Sequence, residues 1–119
     1  MNVLIIDDDK DFIEFISIIF RVILLECEID YVCNQIDAFE WLRARDYEVI
    51  TLDGELEGND HGRDILKEMT VEQLKKVVVC SNDESFLIEC SEDNIYFIDK
   101  GSKNMILELK TILSARGII

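Results

Sequence analysis

Three short apolar runs in this chain each end on charge. Val3-Leu4-Ile5-Ile6 runs into Asp7, Asp8 and Asp9, Val49-Ile50-Thr51-Leu52 into Asp53, and Ile95-Tyr96-Phe97-Ile98 into Asp99 and Lys100. If the three runs are neighbouring parallel strands, their C-terminal ends open on one edge of the sheet, where α/β folds bind ligands. Several carboxylates and one ammonium then share a small pocket. Two carboxylates about 5 Å apart repel by about 3 kcal/mol at an effective dielectric near 20, so the grouping calls for a cation. Oxygen ligands from Asp suit Mg²⁺, which keeps several waters and leaves room for a phosphate oxygen.

The rest of the chain alternates between strand and helix periodicity. Asn2 to Ile6 predicts a strand, Asp9 or Lys10 to Leu25 a helix, and Glu28 to Cys33 a strand with Ile29, Tyr31 and Cys33 on one side. Asn34 predicts an N-cap for a helix with Ile36, Ala38, Phe39, Trp41 and Leu42 on its apolar face, ending near Arg45. A third strand at Glu48 to Leu52 leads into a loop around Gly58-Asn59-Asp60-His61-Gly62 and a helix carrying Ile65, Leu66 and Met69. Lys76 to Cys80 is a fourth strand, apolar throughout as a strand covered on both faces should be. A short helix from about Asp83 to Cys90, a fifth strand at Ile95 to Ile98 and a helix from Lys103 to Arg116 complete the pattern. In that last helix Met105, Ile106, Leu109, Ile112 and Leu113 align, and Gly117 closes it. Strands and helices in strict alternation imply an α/β, flavodoxin-like (βα)5 fold, a doubly wound parallel sheet in the order 2-1-3-4-5. That order sets Asp7, Asp8 and Asp53 together at the topological switch point.

Composition narrows the partners. With 26 acidic against 12 basic residues the formal charge is -14, a field that repels nucleic acid and anionic lipid surfaces. A length of 119 residues suits one domain, residues 1–119, with no separate effector domain. Cys27, Cys33, Cys80 and Cys90 show no CxxC spacing and read as reduced thiols of a cytoplasmic protein. No signal peptide is evident. The apolar stretch Phe12 to Leu25 is shorter than the about 20 residues of a membrane span and carries Glu14 and Arg21.

Over its whole length the chain resembles a response-regulator receiver domain, CheY-like, stand-alone and divergent. The matching residues are the acidic pair in Leu4-Ile5-Ile6-Asp7-Asp8, the aspartate in Ile50-Thr51-Leu52-Asp53, the hydroxyl in Val79-Cys80-Ser81-Asn82 and the lysine in Phe97-Ile98-Asp99-Lys100. The resemblance implies that Asp53 accepts a phosphoryl group from a histidine kinase, a phosphotransfer protein or a small phosphodonor, that the acidic pair binds Mg²⁺, and that the chain signals through a partner or serves as an intermediate in a phosphorelay. Phosphoryl transfer needs an in-line nucleophile and positive charge facing the equatorial oxygens. Asp53 is then the nucleophile, Asp8 a direct metal ligand, Asp7 a ligand through water, and Lys100 a partner first of Asp53 and then of a phosphoryl oxygen. The backbone carbonyl of Glu55 completes the implied metal set. Ser81 is the switch hydroxyl and Phe97, three residues before Lys100, the aromatic that repacks with it; strand alternation lets only one of Tyr96 and Phe97 face that side.

Plainer roles exist for each residue. One of Asp7, Asp8 and Asp9 caps the first helix. Ser81 can be an ordinary turn or cap hydroxyl, Phe97 plain core, and His61, the single histidine, an exposed loop residue. The stretch Asp53-Gly54-Glu55-Leu56-Glu57-Gly58-Asn59-Asp60-His61-Gly62 also departs from the family, being one residue longer and lacking its Met-Pro turn. Gly101 replaces the usual proline after the lysine, which removes the expected cis peptide. Two rival readings follow: a receiver-like enzyme that processes cyclic phosphates with Asp53 and His61, and a pseudo-receiver that binds partners without phosphorylation.

The first helix carries more apolar surface than a sheet needs. Only Lys10, Glu14, Ser17 and Arg21 interrupt it, in one narrow stripe. Uncovered area of this kind marks an interface, so a homodimer or a docked partner is expected there, helped by Leu107 of the last helix.

Overall fold

Period-two alternation divides the strands of this protein between two apolar layers. In a computed structural model describing residues 1–119, the strands are β1 (Asn2–Ile6), β2 (Glu28–Val32), β3 (Val49–Leu52), β4 (Val77–Ser81) and β5 (Tyr96–Asp99). The helices are α1 (Lys10–Ile23), α2 (Gln35–Ala44), α3 (Gly62–Glu68), α4 (Val71–Leu74), α5 (Glu84–Glu92) and α6 (Met105–Ala115). All strands pair in parallel in one sheet, in the expected order β2-β1-β3-β4-β5. Leu4, Ile6, Ile50, Leu52, Val77 and Val79 pack with Ala38, Leu42, Ile65, Phe86 and Leu87 of α2, α3 and α5. Val3, Ile5, Val49, Val78, Cys80 and Ile98 pack with Ile13, Ile16, Phe20, Leu109 and Leu113 of α1 and α6. Each of the Val, Leu, Ile and Phe side chains, fully buried, contributes about 1.5–3 kcal/mol relative to an exposed one.

Strand position explains which runs read most clearly. β3 and β4 are buried throughout and β1 nearly so, and they are the continuous apolar segments of the sequence. The edge strands β2 and β5 are mostly uncovered. Tyr31, expected beside Ile29 and Cys33, is accordingly 63% exposed on the open edge.

Helix ends follow local chemistry. Asp9 is the acidic residue that caps α1, its carboxylate accepting from the backbone N–H groups of Asp11 (3.0 Å) and Phe12 (3.3 Å). Asn34 caps α2 and Asp83 caps α5 in the same way, each cap stabilising its helix by about 1 kcal/mol. Asn94 after α5 and Gly117 after α6 take the left-handed conformation that closes a helix.

Several expectations need correction. The first helix stops at Ile23, because Leu24 turns extended and drops into the core. Ser17 is not part of a polar stripe: it is buried, and its hydroxyl donates to the Ile13 carbonyl at 2.6 Å, which satisfies it inside the helix. On α2 only the Ala38 and Leu42 row is buried, with Phe39 partly so, while Ile36 and Trp41 face outward. Ile106 of α6 is also turned out of its expected apolar stripe. β3, β4 and β5 each begin one residue later than the sequence pattern suggests, and β2 ends one residue earlier. The extra helical turn α4 is closed by a capping box between Thr70 and Gln73, a signal the sequence held in plain form. No helix is long and apolar enough to cross a membrane.

Candidate functional site

The site is built by the sheet ladder running one residue past its strands. β1 and β3 are neighbours with Ile6 opposite Leu52. The Asp7 N–H donates to the Val32 carbonyl at 3.0 Å and the Asp53 N–H to the Ile6 carbonyl at 2.9 Å. Both aspartates are thereby fixed side by side at the sheet edge, 1% and 8% exposed respectively. Asp8 is exposed beside them. One carboxylate oxygen from each of Asp7, Asp8 and Asp53 lies within 4.8 Å of the other two.

Lys100 arrives from the far side of β4. Its N–H donates to the Ser81 carbonyl at 3.0 Å, which extends the pairing of β4 with β5 and aims the side chain at the carboxylates. Lys100 Nζ stands 2.8 Å from Asp7 Oδ2 and 3.3 Å from Asp53 Oδ2. Lys100 thus contacts both carboxylates, and the shorter pair is with Asp7, the more buried of the two. Nζ also lies 4.3 Å from the centroid of the Phe12 ring, a cation-π contact that sequence spacing gave no reason to expect.

The charges do not balance within the protein. Burial, then the adjacent Asp7 carboxylate, pushes Asp53 up to about 6, against the pull of Lys100 and of the Gly54 N–H that donates to its Oδ1 at 2.7 Å. Burial likewise raises Asp7 above the usual carboxylate range. Burial pulls Lys100 down, but its hydrogen bond to Asp7 and the two negative charges outweigh it and hold the ammonium above its ordinary value. Three carboxylates around one ammonium leave a hard-oxygen site short of positive charge, and a divalent cation such as Mg²⁺ fits that donor set.

Ser81 ends β4, buried, with its Oγ accepting from the Asp83 N–H at 3.0 Å. Its own proton is free to be donated elsewhere. Glu55 and His61 are exposed and pair through their backbones across a narrow hairpin, closed by the Gly62 N–H donating to the Gly54 carbonyl at 2.9 Å. Asp8, Asp53, Glu55, His61, Ser81 and Lys100 line one open cleft of about 830 Å³. Phe97 does not line it. Opposite Val79, it lies on the α5 side of the sheet, whereas Tyr96, opposite Val78, lies on the α6 side; each is 40% exposed.

Two glycines let the loops close on the acidic cluster. A Cβ at Gly54 would sit 2.8 Å from Phe86 Cδ2 and 3.0 Å from Ser81 Oγ, so only glycine lets the chain after Asp53 lie against that hydroxyl. A Cβ at Gly62 would fall 2.1 Å from the Asp53 carbonyl oxygen. Gly62→Ala is expected to destabilise the fold by about 3 kcal/mol, at the upper end of overpacking costs, seen as a lower urea midpoint with an unchanged slope. An unchanged midpoint would mean that the hairpin moves aside freely. A further device is Arg63, whose guanidinium lies 5.0 Å from the Phe86 ring centroid and contacts Glu89 (2.7 Å), Ser85 (3.0 Å) and Asp83 (3.7 Å), clamping α3 to α5.

Comparison with known proteins agrees with this architecture. The family model for the response regulator receiver domain matches residues 3–108. A search of curated proteins finds no match. The signal receiver domain of a DNA-binding response regulator from Colwellia psychrerythraea superposes with a TM-score of 0.79 at 22% identity, covering 98% of each chain. A CheY-like receiver domain from Methylobacillus flagellatus gives 0.74 at 24% identity, covering 97% of each chain. Response regulator protein TrrA from Thermotoga maritima, solved in complex with Mg²⁺-BeF, gives 0.76 at 18% identity, covering 99% of this chain and 98% of that one. At these identities the structures speak for the fold alone.

Proposed function

Because the chain belongs to the response regulator receiver family, we propose that it accepts a phosphoryl group on Asp53 in a Mg²⁺-dependent reaction and signals through a partner protein. The observation that carries this reading is the convergence of Asp7, Asp8 and Asp53 from two strand ends around the Lys100 ammonium. A module that only binds partners has no need to bury like charges together. Asp7, Asp8, Asp53 and the backbone carbonyl of Glu55 would hold the ion, which when bound supplies positive charge to phosphate oxygens. TrrA with Mg²⁺-BeF and the Mn²⁺-bound form of response regulator Rcp1 support divalent binding by relatives of this fold.

The protein's own groups do the remainder. An Asp53 carboxylate oxygen attacks phosphorus, the bond from phosphorus to the donor's leaving group breaks, and an acyl phosphate remains on Asp53. Lys100, already poised between Asp7 and Asp53, pairs with an equatorial phosphoryl oxygen, and Ser81 donates its free proton to another. Movement of Ser81 draws the loop after β4 inward, and Phe97 on the adjoining strand repacks. The donor is a histidine kinase or a phosphotransfer protein, and the output is a change in the affinity of this surface for its target.

Incubation with a small phosphodonor and Mg²⁺, followed by intact mass measurement, tests the reading. One phosphoryl adduct per chain is expected, absent in Asp53→Asn. No adduct with any donor or cognate kinase, or an adduct that survives Asp53→Asn, overturns it. Turnover of a cyclic nucleotide phosphate that is lost in His61→Ala would put a hydrolytic function in its place.

A further inference from the structure

Helix α1 has two apolar faces, and the fold uses one. Ile13, Ile16, Ile19 and Phe20 are buried against the sheet and α6. Phe15 (45%), Ile18 (54%) and Val22 (79%) are exposed on the other side, and Leu25 (93%) is exposed just beyond the helix end. Within the helix, the spacing of three and four from Phe15 through Ile18 to Val22 is that of an interhelical seam. The patch continues onto α6, where Ile106 and Leu107 are 45% and 65% exposed and share a shallow groove with Phe15.

Charge placement identifies the occupant. Glu14 and Arg21 flank this seam along the same edge, Glu14 four residues before Ile18 and Arg21 three after it, and Phe15 and Val22 flank the opposite edge. If a second α1 lies antiparallel on the first, about a two-fold axis beside Ile18, Ile18 meets its own copy and Phe15 meets Val22 of the second copy. On the other edge each Glu14 meets Arg21 of the second copy. The surface is thus complementary to itself in both shape and sign, as an isologous interface requires. The helix carries Lys10 and Arg21 against Asp11 and Glu14, a balance of zero in a chain of net charge -14. At this face a second copy meets no local excess of like charge, so the repulsion between the two acidic chains is small here. An acidic partner would find no net attraction, and a basic one would find stronger attraction elsewhere.

We propose that this face joins two copies of the chain in an antiparallel, two-fold dimer through α1, with the start of α6 at its margin. The association is a property of the unmodified protein and does not depend on the phosphoryl chemistry proposed above. Sedimentation of the full chain at about 100 μM, without phosphodonor, is expected to show twice the 13.8 kDa chain mass. Ile18→Glu, at an exposed position that the fold does not pack, is expected to give a folded monomer with the wild-type circular dichroism spectrum. Glu14→Arg and Arg21→Glu set like charges opposite each other, and each is expected to weaken the dimer by about tenfold or more; the double exchange restores it. A monomeric wild-type chain overturns the proposal. So does a double exchange no tighter than the single variants, since that would exclude this register.

Discussion

Lys100→Met is expected to lower the stability of the metal-free protein by about 3–5 kcal/mol at about pH 8, the usual cost of stranding a buried charge. The ammonium is the only cation in contact with Asp7 and Asp53, at 2.8 and 3.3 Å. Methionine keeps most of the apolar stem but ends one atom short of Nζ and gives up the cation-π contact with Phe12, so the loss reports mainly the removed charge. The sign with pH follows from the carboxylates. Both already sit above their ordinary values, Asp53 near 6, and removing Lys100 raises them further. A carboxyl whose folded pKa exceeds its unfolded value of about 3.9 destabilises the fold above that range and ceases to do so once protonated in both states. The penalty of Lys100→Met should therefore be full at about pH 8 and fade as the pH falls toward about 4. Urea unfolding in the presence of a chelator measures this, and an equal loss at both extremes would assign the effect to packing.

Mg²⁺ is expected to raise the stability of the wild-type chain by about 2.7 kcal/mol at a hundredfold excess over its Kd, roughly 10 °C in melting temperature for a domain of this size. The gain is expected because the ion would bind the native cluster and not the unfolded chain, where Asp7, Asp8 and Asp53 are dispersed. Asp8→Ala should abolish the shift while leaving the metal-free fold within about 0.5 kcal/mol of wild type, because Asp8 is exposed. Protons compete for the same oxygens. With Asp53 near 6, the Mg²⁺ shift should shrink as the pH falls through that value. Differential scanning fluorimetry across pH and Mg²⁺ concentration checks both statements, and an undiminished shift in Asp8→Ala would locate the ion elsewhere.

The sequence and the structure agree most closely where burial is two-sided. β1, β3 and β4 are covered above and below, so their apolar runs are unbroken and the charges at their ends stand out. Helix faces were less legible. Periodicity shows which residues of α2 or α6 align, but Ile36, Trp41 and Ile106 are exposed because it does not show how far the neighbouring elements reach over them. Ser17 reads as surface because its hydroxyl is polar, yet a single bond to the preceding turn lets it lie inside. Within the site, the order of the four matching elements was visible in the chain, while the preference of Lys100 for Asp7 and its position over Phe12 are tertiary facts that depend on how α1 leans against the sheet. The Thr70 to Gln73 capping box is the one omission that local chemistry alone would have prevented.

The cluster also marks the end of a history. Asp7 directly follows the first strand, Asp53 the third and Lys100 the fifth, and the three come together only when β1 has paired with β3, β3 with β4 and β4 with β5. Such pairings join segments far apart in the chain and close late, after the local helices. A half-folded molecule in which those pairings have not formed therefore holds scattered carboxylates and no site. Whatever recognises the assembled cluster thereby distinguishes finished molecules from unfinished ones, with no separate proofreading step.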